Sequence, residues 1–152
     1  MRIYLPSTVA ELAGRGLAPR LVHAVTPQLR RALPDEDDEG LEYAAQLLAA
    51  DDSLDLLDTT ARAGRRRVVV AADVPEAVID SVDTGEHAPS TVRLTASIGW
   101  DDVACAHVDE AAAEHDVVAA AGGDEVALER LAERDLLWYD VSELSSLAAK
   151  LR

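Results

Sequence analysis

Hydrophobic positions along the chain switch between a period of two and a period near 3.6, and the switches outline the elements. Arg2-Ile3-Tyr4-Leu5 reads as an opening strand. Thr8-Val9-Ala10-Glu11 has the spacing of a capping box at the start of a short helix, which Gly14 and Gly16 end. The half-alternating, β-branched run from Arg20 to Val25 predicts a second strand, followed by Thr26 as N-cap and Pro27 in a first helical turn. The strongest helical signal comes next: Tyr43, Leu47, Ala50, Leu54, Leu57 and Ala61 recur at alternating spacings of four and three along one face. An acidic run, Asp35 to Glu39, opens this helix, Arg62 lies near its end, and Gly64 is placed to terminate it.

Beyond Gly64 the pattern changes. Val68-Val69-Val70-Ala71-Ala72-Asp73 is apolar without alternation, which predicts a central strand covered on both faces. Pro75 to Ser90 reads as a loop with some local structure, and Thr91 to Thr95 as a strand. Val103 to Val108 is another strand, ending in Asp109-Glu110, which open an alanine-rich helix stopped by Gly122-Gly123. Asp124 caps a further helix running to about Arg134, and Leu136 to Tyr139 is a last strand. Asp140-Val141-Ser142-Glu143 is a second capping box, starting a closing helix with Leu144, Leu147, Ala148 and Leu151 on one stripe. Strands and helices interleave from end to end. The expectation is one α+β (or α/β) domain over residues 1–152, with a single mixed sheet of about five strands and about five or six helices packed on it.

Composition narrows the function classes. The 152 residues include 14 basic and 29 acidic side chains, a formal charge of −15. Binding to a nucleic-acid backbone needs lysines and arginines to displace counterions, so nucleic acid is not an expected partner. An anionic membrane surface wants a basic amphipathic helix, which is absent, and no apolar run approaches the ~20 residues that cross a bilayer. A lone cysteine, Cys105, permits no internal disulfide, and with no signal-peptide apolar segment a cytoplasmic location is expected. A single lysine, Lys150, among many arginines and alanines is what GC-rich codon usage produces.

Four residues are candidate ligand contacts: Asp73, His107, Asp109 and Glu110. Asp73 and Asp109 each end an apolar strand, and strand ends in open α/β sheets are where ligand sites collect. If the two strands were neighbours, the carboxylates could share Mg²⁺, with Glu110, Glu114 and His115 close by. Ordinary helix capping accounts for the same residues without any ligand. Cys105, His107 and Asp109 share one strand face, but residues two apart are separated by roughly 6.6 Å of rise, about twice hydrogen-bond reach. A relay would need a partner from another strand, such as His23. Arg65-Arg66-Arg67 either holds an anion bidentately or pairs with neighbouring acids. Trp100, Trp138 and Tyr139 are expected mostly in the core; exposed, they would anchor an interface. The acidic run is either a dock for a basic partner or a solvated helix entry. No phosphate loop, nucleophile elbow, zincin motif or multi-cysteine metal spacing is present.

The segments Met1-Arg2-Ile3-Tyr4-Leu5-Pro6-Ser7-Thr8, Ala24-Val25-Thr26-Pro27, Leu41-Glu42-Tyr43-Ala44-Ala45, Arg67 to Val74, His107-Val108-Asp109-Glu110 and Trp138-Tyr139-Asp140 resemble an actinobacterial family of uncharacterised proteins, a domain of unknown function. The resemblance implies a cytosolic single-domain protein and carries no catalytic assignment. The sequence therefore supports a small acidic protein that binds a protein or small molecule without catalysis and without a cofactor. The alternative is a Mg²⁺-dependent hydrolase or phosphotransferase built on Asp73, Asp109 and Glu110.

Overall fold

A computed structural model describes residues 1–59, 64–83 and 85–151. Its centre is one open sheet of seven strands: β1 (Arg2–Ser7), β2 (Arg20–His23), β3 (Val68–Asp73), β4 (Ile79–Ser81), β5 (Thr91–Leu94), β6 (Val103–Val108) and β7 (Leu137–Asp140). The strand order is β4-β5-β2-β1-β3-β6-β7, and every neighbouring pair is antiparallel. The expected mixed sheet of about five strands is thus corrected to an antiparallel sheet of seven. The strand hidden from the sequence is β4, only three residues long, at the edge and with no apolar alternation to mark it.

The described residues form six helices: α1 (Val9–Leu12), α2 (Pro27–Ala32), α3 (Asp38–Thr59), α4 (Glu114–Ala121), α5 (Glu125–Ala132) and α6 (Leu144–Lys150). Helices α1 and α6 cover one face, where Val9, Leu12, Leu144, Leu147 and Ala148 meet Ile3, Leu5, Val68, Val70 and Leu94. Helices α2 and α3 cover the other, placing Leu29, Leu41, Ala45, Ala49 and Ala50 against Tyr4, Val69, Ala71 and Cys105. A satellite core of Leu54, Ala113, Val117 and Leu131 ties α4 and α5 to the end of α3. Central β3 is buried through Ala72, as its continuous apolar run predicts.

The buried line of α3 agrees with the predicted one at Ala50 and Leu54 and departs from it elsewhere. Leu41, Ala45, Ala49 and Ser53 face the sheet, whereas Tyr43 is exposed. Small residues let the helix approach closely, so the inward positions are the ones an apolar-size pattern undervalues. Ser53 uses the close approach: its hydroxyl donates to Ser7 O at 2.8 Å and accepts from Val68 N at 3.0 Å, stitching α3 to β1 and β3. Arg62 and Ala61 lie outside the described residues. Several local predictions hold: Thr26 accepts from Leu29 N with Pro27 opening α2, Asp124 caps α5, and Asp140 with Glu143 forms a complete capping box. The box at Thr8 is half formed, because Thr8 accepts from Glu11 N while the Glu11 carboxylate turns to Arg20 and Ser7. No helix among the described residues is long and apolar enough to cross a membrane.

Candidate functional site

The antiparallel sheet decides the fate of the strand-end carboxylates. In such a ladder neighbouring strands point their carboxyl ends to opposite edges. Val68 pairs with Val108, so Asp109 lies beside Arg67 at the start of β3, while Asp73 lies at its end. About 20 Å of strand separates the two. Each is also taken by an arginine. Arg2 Nε donates to Asp73 Oδ1 at 2.8 Å and its Nη2 to Oδ2 at 2.9 Å, and this hydrogen bonding holds the Asp73 carboxyl below its usual range. At the other edge the Asp109 side chain is 0% exposed and that of Arg67 is 3% exposed. Asp109 accepts from Arg67 N and Nε through Oδ2 and from Nη2 through Oδ1, all at 2.8 Å. Glu110 binds Arg134, and Glu114 takes the Arg66 Nη2 at 3.5 Å. The described residues contain no group of three or more His, Cys, Asp or Glu able to hold a metal ion, so the structure gives the proposed Mg²⁺ pair no common site.

His107 lies opposite Val69 in the ladder, in a strip with Cys105 and Tyr4 whose groups burial pushes toward their neutral forms. Its Nε2 is 3.8 Å from Cys105 Sγ, within reach of a sulfur hydrogen bond. This corrects the expectation from strand rise: rise separates the Cα atoms, whereas an imidazole is long enough to lean back toward its neighbour. Burial pushes the His107 ring below its ordinary value, helped by the Arg2 charge. Burial likewise pushes the Cys105 thiol up, against a hydrogen bond from Trp138. Both shifts oppose a thiolate–imidazolium pair, the form that nucleophilic catalysis requires. Tyr4, in the same strip, is pushed up to about 12, chiefly by burial. His23 is separated from β6 by β1 and β3; it lies across from Tyr4 in the ladder, but its ring nitrogens go to Ser90 and Asp52 rather than to Cys105 or His107. Trp138 is 60% exposed rather than buried, because it sits on the edge strand β7 while α3 packs over β1, β2 and β3. Trp100 donates its indole N–H to Gly14 O at 2.8 Å, and Tyr139 packs against the core.

A different place concentrates the features of a binding site. A groove of about 610 Å³ opens between the end of β1, α1, the start of β2 and the middle of α3. Pro6, Ala10, Pro19, Leu21 and Leu56 give it apolar walls, with Thr8, Glu11, Arg20 and Asp52 as its polar groups. Arg20 uses four of its five N–H donors in these contacts: Nη1 and Nη2 each donate to the Glu11 carboxylate at 2.7 Å, Nη1 also to Pro6 O at 2.9 Å, and Nε to Ala18 O at 3.0 Å. Burial pushes the Glu11 carboxyl up, but Arg20 and the Ser7 hydroxyl more than offset it, leaving the group below its usual range.

Asp52 is the group with spare capacity. Its side chain is 46% exposed, and His23, only 3% exposed, holds its Oδ2 from behind through Nε2 at 2.6 Å. Ser90 Oγ meets the other ring nitrogen, Nδ1, at 2.7 Å. A carboxylate only accepts, so Nε2 carries a hydrogen. The trio has the members of a serine-hydrolase triad but not its geometry, since Ser90 is 0% exposed and out of reach of any substrate. It acts instead as a brace that fixes one carboxylate oxygen of a residue lining the groove. Sequence reasoning noticed His23 only as a possible relay partner and missed Asp52 and Ser90, which lie 29 and 67 positions away from it. No local spacing links them: the pairing of β2 with β5 brings Ser90 to His23, and the packing of α3 on β2 brings Asp52.

The fold and the groove define an α+β protein with a recessed, mostly apolar site and a single braced carboxylate in its wall. Residues 1–148 match the model of a family of unknown function, DUF6912, and the chain belongs to that family. No curated protein and no solved structure matches the chain.

Proposed function

We propose that this chain is a non-catalytic binding module whose site is the groove between β1, α1, β2 and α3, and whose ligand is a compact apolar molecule bearing a positively charged nitrogen. The observation that carries this reading is Asp52, half-exposed in an apolar groove and braced by buried His23 and Ser90. A groove of about 610 Å³ is in the size range of small-molecule sites. A carboxylate held from behind loses little conformational freedom on binding, and the surrounding −15 charge raises the local concentration of cations. Arg20 is spent on Glu11 and backbone carbonyls, which leaves the groove without a free cation to attract an anionic ligand.

The same charge argues against nucleic acid and anionic membranes as partners. Its single buried cysteine suits a reducing cytoplasm, and its arginine-rich, lysine-poor composition suits an actinobacterial source. The Mg²⁺-dependent alternative loses its support, because Asp73 and Asp109 lie at opposite sheet edges and each is paired with an arginine.

Amide-resolved NMR titration with cyclohexylamine, against cyclohexanecarboxylate at matched ionic strength, tests the proposal. The amine is expected to shift Ala10, Leu21, Asp52 and Leu56, the carboxylate to leave them still, and Asp52→Asn to abolish the amine response. Equal shifts with both probes, or an amine response that survives Asp52→Asn, would refute it.

A further inference from the structure

The three consecutive arginines after Gly64 part company in the structure. Arg67 turns into the core to Asp109, Arg66 reaches the Asp109 carbonyl at 3.2 Å and Glu114 at 3.5 Å, and Arg65 is exposed. Gly64 sets up this divergence with a φ of +99°, a conformation that side chains disfavour, and a Cβ there would come within 3.2 Å of Val9 Cβ. The turn is therefore both tight and fixed against α1. Arg65 and Arg66 line a recess of about 380 Å³ together with Lys150, from the last turn of α6, and Glu114.

Charge makes this recess unusual. Acids outnumber bases 29 to 14 in the chain, and seven arginines are held in ion pairs among the described residues. Arg65 and Lys150 have no ion-pair partner among the described residues, yet both face the same recess. Lys150 suits the negative end of α6. That accounts for its sign, but Arg65 is a second unpaired cation lining the same recess, whereas the other unpaired arginines of the described residues, Arg15, Arg31 and Arg93, are exposed elsewhere on the surface. Three basic groups against one carboxylate leave the recess a local charge of 3 − 1 = +2. Guanidinium groups bind phosphate oxygens bidentately and an ammonium supplies a point charge, so the arrangement matches a dianion.

We propose that the Arg65–Arg66–Lys150 recess is an anion site for the phosphate group of a small phosphorylated molecule, separate from the groove at Asp52. The test uses the full chain and inorganic phosphate as the probe, with chloride replacing phosphate at constant ionic strength. Phosphate-observed NMR and calorimetry read the binding, and glycerol phosphate serves as the ester. Saturable binding is expected, weakened at least about tenfold, equivalent to about 1.4 kcal/mol, by Arg65→Ser or by Lys150→Gln. Arg31→Ser, at an exposed arginine in the last turn of α2 outside the recess, and Asp52→Asn should bind as the wild type does, the second keeping this site distinct from the groove. Arg65 and Lys150 are both exposed, so the variants should stay folded, with Tm within about 4 °C of the wild type. Arg65→Lys, which keeps the charge, should restore part of the binding. Binding no stronger than that of chloride, or binding that survives both substitutions, would overturn the proposal.

Discussion

Replacing Asp109 with alanine tests whether this carboxylate is structural, as the geometry says, or functional, as its position at a strand end suggested. The substitution leaves a guanidinium that is 3% exposed without its counter-charge and removes three hydrogen bonds of 2.8 Å, one of them to the Arg67 backbone N–H. Removing one partner of a buried pair costs about 3–5 kcal/mol. Arg67 Nη2 keeps only a 3.4 Å contact with Arg134 O, which softens the loss little. Against a total stability of about 5–15 kcal/mol the loss is large, and at about 2–4 °C per kcal/mol it lowers Tm by about 6–20 °C. Urea unfolding followed by circular dichroism and tryptophan fluorescence, with a parallel thermal melt, measures it. The double variant Arg67→Met/Asp109→Leu removes both charges at similar volume and should recover at least about 1 kcal/mol relative to Asp109→Ala. Full recovery is not expected, because the Arg67 N–H loses its acceptor, at about 1–3 kcal/mol. An Asp109→Ala variant within about 1 kcal/mol of wild type would refute the reasoning. So would a double variant as unstable as the two single losses added.

Two further outcomes follow from the neutral strip. Because burial holds the His107 ring below its ordinary value, the unfolded chain takes up a proton first as pH falls below about 6.5. Stability is then full above that pH and declines as pH drops toward the lower folded-state value, and His107→Gln should flatten the slope in denaturant titrations across that window; an unchanged slope would contradict the assignment. Glu11, also held below its usual range, adds a loss of the same sign further down, beginning below its ordinary value of 4.5. Cys105 is 7% exposed and its thiol is pushed up, so native protein at mildly alkaline pH should react with iodoacetamide at least about tenfold more slowly than urea-unfolded protein, as mass spectrometry will show. Equal rates would mean that the thiol is open and ionised.

Much of the architecture was legible in the sequence because its signals are local. The apolar run Val68 to Ala72 marks the buried central strand, Thr26-Pro27 and Asp124 mark helix starts, and Asp140 with Glu143 marks a complete capping box. The functional candidates were less legible, since a carboxylate at a strand end looks the same whether its neighbour runs parallel or antiparallel. In a parallel sheet Asp73 and Asp109 would share an edge; the pairing of Val68 with Val108 sends them to opposite ones. Arginine partners were equally hidden, because Arg2 meets Asp73 across 71 positions and Arg67 meets Asp109 across 42.

The distribution of arginines gives the two proposed sites a common logic. In a chain with 29 acids and 14 bases, a carboxylate without a cation is ordinary and carries no information. What distinguishes Asp52 is therefore not the absence of an arginine but the presence of a buried histidine and serine behind it, a brace that a merely solvated carboxylate does not need. For the bases the inference runs the other way. Unpaired bases such as Arg15, Arg31 and Arg93 stand exposed on the surface, and what sets Arg65 and Lys150 apart is that the two line one recess. The groove and the recess thus draw on opposite departures from the same charge imbalance, and substitutions at Asp52 and at Arg65 should alter the binding of oppositely charged probes without affecting each other.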